Sequence, residues 1–186
     1  MIIDYTNKEQ MASLNIEESD SYGRVYIQID DNYDGVTFKN FPTIAFEDSE
    51  FKNCVFENCK SLEFSECTVY DSTFKNISAI EGHYTDFHGC TFSDCCSDGP
   101  FLVIDSEGEI EGCTFENINA QGDDGYVIYS VYASMAQLSE ITNCKFISCK
   151  FESEDGDMIY CSYFKNRFSS KTVLADNIDY ESCVFD

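Results

Sequence analysis

A parallel β-helix, an all-β solenoid, is the fold this 186-residue chain encodes. One aromatic position recurs seven times, as Phe38, Phe56, Phe74, Phe92, Phe115, Phe146 and Phe185. The first three intervals are 18 residues each, and the later ones lengthen to 23, 31 and 39. Two places before it stand Val36, Cys54, Ser72, Cys90, Cys113, Cys144 and Cys183, nearly all small. Two places after it stand Asn40, Asn58, Asn76, Asp94, Asn117 and Ser148. Apolar residues return in two further registers, Ile44, Leu62 and Ile80, then Phe51, Val69 and Phe87. Helical periodicity does not compete between Val36 and Cys95.

Each element follows from local chemistry. Thr6-Asn7-Lys8-Glu9 is a capping-box pattern that predicts a short helix over Glu9 to Leu14. Such a helix would cap the first coil, whose edge would otherwise recruit other chains. Arg24 to Asp30 alternates as a strand, and Asp34-Gly35 is a turn. We therefore expect a cap and first strand over residues 1–35 and coils over 36–186, enlarged after residue 95. Small-x-Phe is the period-2 alternation of a strand with both residues inward. The Asn or Asp after it marks a tight corner, where its side chain can bond backbone groups and stacked copies form a ladder. About seven coils result, with Phe stacks and thiols filling a narrow interior. The later coils enlarge through Asp98-Gly99, Asp124-Gly125 and Asp155-Gly156, each followed by an apolar strand.

Phe46, Phe51 and Phe56 are five apart, and Ile44, Ser49 and Cys54 precede them by two. That spacing resembles the pentapeptide-repeat proteins, and the Phe-x-Asn-Cys phrases resemble right-handed parallel β-helix proteins, including bacterial surface ones. The resemblance covers about Val36 to Asp186 and implies a right-handed solenoid. The 18-residue coil departs from the pentapeptide pattern, being divided 5, 5 and 8. Some pentapeptide-repeat proteins imitate DNA and inhibit gyrase. Small acidic phage proteins that block restriction or CRISPR enzymes are similar in strategy.

Charge is the sharpest functional feature. Asp and Glu number 35 against 11 Lys and Arg, a formal charge of -24. With 43% hydrophobic residues and only 2 Pro the chain is expected to fold, and the charge excludes direct binding to nucleic acid or an anionic membrane. An electrostatically chosen partner is a basic, nucleic-acid-binding protein. The chain opens without a basic segment or apolar run, so cytoplasmic placement is expected. Its 11 cysteines are then expected to be reduced, and most of them buried. Between Asn76 and Cys144 there are 12 carboxylates and no Lys or Arg. From these we expect an acidic, partner-binding face at Glu81, Asp86, Asp98, Asp105, Glu107, Glu109, Glu111, Asp123 and Asp124, on a rod about 34 Å long.

Catalysis is not expected, because many carboxylates occur with no privileged pair across a cleft. Neither a metal nor another cofactor is expected. Asp123-Asp124-Gly125 and the run Glu152 to Asp157 lack EF-hand spacing, so they read as turns. His83 and His88 fall on other walls than Cys90 and Cys95, which point inward, against a zinc site. Cys96 lies beyond a corner, in negative surroundings unsuited to a nucleophile. Val103, Tyr129 and Tyr160 are expected to stack on the outside, to be covered by a homodimer or by the 133–143 insertion. The function expected is therefore a non-catalytic nucleic-acid mimic that inhibits a DNA- or RNA-binding enzyme. The alternatives are a structural or cell-surface β-helix and a Ca²⁺-dependent carbohydrate-binding module.

Overall fold

The computed structural model describes residues 1–13, 16–18, 25–27, 32–105, 107–132, 140–153, 156–164, 171–173 and 183–185. Short strands stack coil upon coil into flat walls, almost all in parallel register. The first wall has eight strands, beginning with Ile2–Asp4 and ending with Val184–Phe185. All seven repeated Phe residues lie on it in direct register. Their rings form one offset stack with centroids 4.7 to 5.2 Å apart. Ile3 continues the column beyond Phe38.

In the early coils the chain passes from the first wall to a second (Thr43–Glu47, Ser61–Ser65, Ala79–His83) and then a third. The third comprises Asn32–Asp34, Glu50–Lys52, Thr68–Tyr70, Asp86–His88, Glu109–Glu111 and Glu140–Thr142. From residue 96 a fourth wall intervenes after the first, built on Cys96–Asp98, Asn119–Gln121 and Lys150–Ser153. This added wall accounts for the step from 18 to 23 residues between aromatic positions. Antiparallel strands close both ends of the second wall: Ile16–Glu18 on Val25–Ile27, and Lys171–Val173 on Ile159–Phe164. Such pairing blunts edges that would otherwise template other chains.

The corners are left-handed. Asn40, Asn58, Asn76, Asp94, Asn117 and Ser148 all have φ between 52° and 63°. Asn and Asp tolerate that region better than other L-residues. The corner N–H groups are not left unpaired, as the sequence pattern suggested. Those of Asn40, Asn58, Asn76, Asp94 and Asn117 each donate to the next coil, for example Asn58 N to Lys75 O at 3.0 Å and Asn76 N to Ser93 O at 3.1 Å. The side-chain amides are thereby released for a ladder on the outer edge. Asn76 Nδ2 donates to Asn58 Oδ1 at 2.7 Å, and Asn117 Nδ2 to Asp94 Oδ1 at 3.2 Å.

Interior thiols do more than fill space. Cys113 Sγ donates to Phe87 O of the preceding coil at 3.3 Å and to Glu111 O at 3.5 Å. Cys54, Cys90 and Cys144 repeat the arrangement at the same corner. At another corner Thr85 Oγ1 replaces sulfur and bonds Phe64 O at 3.2 Å. The position selects a short side chain with one donor. Burial pushes the thiols of Cys59, Cys67 and Cys95 up to about 11, whereas Cys96 is exposed. At pH 8 iodoacetamide should therefore alkylate Cys96 and spare those three until denaturant is added. Peptide mass spectrometry reads the difference, and equal rates would mean that the columns open.

At the N-terminus the helix spans Lys8–Ser13, one residue earlier than expected. Thr6 does not cap it, because its hydroxyl and N–H are both drawn to Asp4 Oδ1, at 2.7 and 3.0 Å. Asn7 caps it instead, its Oδ1 accepting from Gln10 N at 3.1 Å. Met11 packs against the core. The expected strand Arg24 to Asp30 is described only over Val25–Ile27. Hydrogen bonds from Asn40 and Thr6, with the Lys39 ammonium, hold the Asp4 carboxyl well below its ordinary value of 3.8. A depressed carboxyl stabilises the fold above its unfolded pKa, and that contribution fades as pH falls toward the folded value. Protection of the Ile3 and Tyr5 amides relative to their intrinsic exchange should therefore fall below about pH 4, and Asp4→Asn should reproduce the loosening at pH 7. An unchanged exchange rate in that variant would remove Asp4 as the latch.

Candidate functional site

Strand alternation decides what each wall shows. On the third wall, Phe51, Val69, Phe87, Ile110 and Ile141 point inward and are buried. Their flanking neighbours must then point out. One outward row runs Asn32, Glu50, Thr68, Asp86, Glu109 and Glu140, with Glu109 directly opposite Glu140. Asp86 joins Glu109 through its Oδ1, which accepts from Glu109 N at 2.8 Å. The parallel row runs Asp34, Lys52, Tyr70, His88, Glu111 and Thr142.

This second row is a linked series. Lys52 pairs with Glu50 at 2.7 Å and lies over the Tyr70 ring at 5.4 Å. Tyr70 stacks on His88, centroids 5.2 Å apart and planes 16° apart. His88 Nδ1 faces Glu111 Oε2 at 3.5 Å. The wall thus sets Lys52 between Asp34 and Glu50 toward one end and gathers the acids Glu109, Glu111 and Glu140 at the other. The row was missed in the sequence, although the signal was present. His88 and Glu111 each stand two residues before a corner cysteine, Cys90 and Cys113.

The nine carboxylates expected on one face divide among several. Asp86, Glu109 and Glu111 lie on the third wall, and Glu107 is exposed just before it. Glu81 lies on the second wall, with Asp105 just beyond its strand Leu102–Ile104. Asp98 and Asp124 belong to the fourth wall, next to Asp123. All are exposed except Asp86, which is half-buried. Glu81 and Asp105 also line a shallow concavity of about 290 Å³ with Glu47, Glu63, His83 and Val103. In it the His83 Nδ1 meets the Asp105 carboxylate. The structure joins Asp86, Glu109 and Glu111 into one patch and sets the fourth-wall acids apart.

Val103, Tyr129 and Tyr160 share one row of the second wall. The Tyr129 and Tyr160 rings stack at 5.0 Å. Tyr126 packs against both, at 5.4 and 5.1 Å, so this chain itself supplies part of the cover. Residues 133–139 of the insertion expected there lie outside the described residues. Cys90 and Cys95 are buried in the interior, while His83 and His88 lie on the second and third walls. Among the described residues, no helix is long and apolar enough to cross a membrane.

The sequence model of the right-handed β-helix region matches residues 15–183. The chain belongs to the right-handed β-helix family. That membership gives the β-helix its hand, which the repeat period alone leaves open. Among solved structures, the β-helix aligns with trypsin-treated QnrB1, a plasmid-mediated fluoroquinolone resistance protein. The two share 13% identity over 85% of this chain and 86% of that one, with a TM-score of 0.24. No curated protein matches the chain.

Proposed function

We propose that this β-helix is a non-catalytic mimic of nucleic acid that occupies the basic groove of a DNA- or RNA-binding enzyme and inhibits it. Charge density supports this reading. The 12 carboxylates between Asn76 and Cys144 span three coil steps, from the strand of Phe74 to that of Phe146. At about 4.8 Å per step they occupy about 14 Å of axis, or roughly one charge per 1.2 Å. Duplex DNA carries one per about 1.7 Å. A surface acidic only for solubility needs a net charge of roughly 2 to 8 in magnitude. Those held on stacked strands, among them Asp86, Glu109 and Glu111, keep fixed spacings and lose little freedom when a partner closes on them. A phage-encoded anti-defence protein or a gyrase-type inhibitor fits this description.

The test is capture and displacement. The immobilised β-helix should retain a nucleic-acid enzyme from a host lysate and release it to competing duplex DNA. The purified enzyme should then lose DNA affinity as the β-helix is added. An enzyme released by salt but never by DNA, or one that binds both at once, would overturn the proposal.

A further inference from the structure

On the third wall a histidine stands among acids that the proposed mimicry also uses. Glu109 and Glu111 leave the same face of one strand, and His88 lies beside Glu111 on the adjacent coil. One ligand atom from each of His88, Glu109 and Glu111 falls within 4.8 Å of the other two. Both carboxylates are exposed, yet each keeps an oxygen within 4.8 Å of one His88 ring nitrogen. The His88 to Glu111 separation of 3.5 Å is long for a charge-assisted hydrogen bond. It suits two ligands of one ion: atoms about 2.0–2.1 Å from a tetrahedral centre lie about 3.3 Å apart.

The supports are also in place. Tyr70 stacks on the His88 ring, and Asp86 grips the backbone of Glu109. Strands rather than loops therefore set the geometry. We propose that His88, Glu109 and Glu111 form a binding site for a borderline divalent transition ion of the Zn²⁺ class. One imidazole with two carboxylates favours such an ion over Ca²⁺ or Mg²⁺, which take oxygen ligands. Three protein ligands leave a fourth position to water.

Metal-stripped protein titrated calorimetrically with Zn²⁺, in about 0.15 M salt and excess Mg²⁺, should bind one ion saturably. The salt and Mg²⁺ suppress the diffuse counterions that any polyanion collects. His88→Ala and the isosteric pair Glu109→Gln with Glu111→Gln should each weaken binding by at least about tenfold. His83→Ala, on another wall, should titrate like the parent. Zn²⁺ should raise the melting temperature of the parent and not of the Gln pair, whose unaltered shape guards against a folding artefact. The site is refuted if the Gln pair binds like the parent, or if the heat reports only many weak ions.

Discussion

Phe92→Ala should destabilise the protein by about 3 to 5 kcal/mol, a large part of the roughly 5 to 15 kcal/mol that holds a typical domain. Phe92 is fully buried. It stacks at 4.7 Å on Phe74 below and at 4.7 Å on Phe115 above. Phe101 adds an edge contact at 6.0 Å. A solenoid is held by nearest-neighbour interfaces, so a void at Phe92 weakens the coils on both sides of it. Phe185 has a different environment, 42% exposed and stacked on Phe146 at 5.0 Å. Its truncation should cost about 1 kcal/mol or less. Urea unfolding of the two variants gives the comparison. Equal losses would mean that the stack does not propagate stability along the axis.

The second large effect concerns the third wall. Changing Glu109, Glu111 and Glu140 together to Lys should weaken binding to the captured enzyme by at least about 100-fold. An exposed ion pair contributes about 0.5 to 1 kcal/mol, and reversal replaces attraction by repulsion. Three such changes therefore cost about 3 to 6 kcal/mol. All three residues are exposed, so the β-helix should keep its melting temperature within a few degrees. The control reverses Asp98, Asp123 and Asp124, also exposed, and shifts the net charge equally. It should cost about tenfold or less, through the screened long-range field alone. Equal losses in the two variants would assign binding to total charge and remove the wall from the account.

The walls were legible in the sequence for a simple reason. Phe38, Phe56, Phe74 and Phe92 keep one 18-residue phase, and the Asn corners keep it with them. The fourth wall was not legible. Its inward residues include Ser97 and Ala120, both buried but too small to make an apolar alternation. The same break in phase hid how Asp86 and Asp98 separate onto different walls, so the acids read as one face. The corner cysteines Cys54, Cys90, Cys113 and Cys144 were read correctly as inward. Their donor role was hidden because a thiol packs like a small apolar group in any pattern, although Ser49, Ser72 and Thr85 in like positions betray the hydrogen bond.

The extra wall also separates two dimensions of the molecule. Between Phe92 and Phe115 a circuit is 23 residues long, yet the ring spacing stays 4.7 Å, as between Phe74 and Phe92 in an 18-residue circuit. Pitch is therefore held by the parallel strand ladder, and the corner after Cys95 widens this circuit without changing that pitch. Segments grafted between Cys95 and Phe101 can widen one storey of the tower while the storeys above and below keep their alignment. Such a corner lets new side structures be tried without disturbing the charged rows that the ladder holds in line.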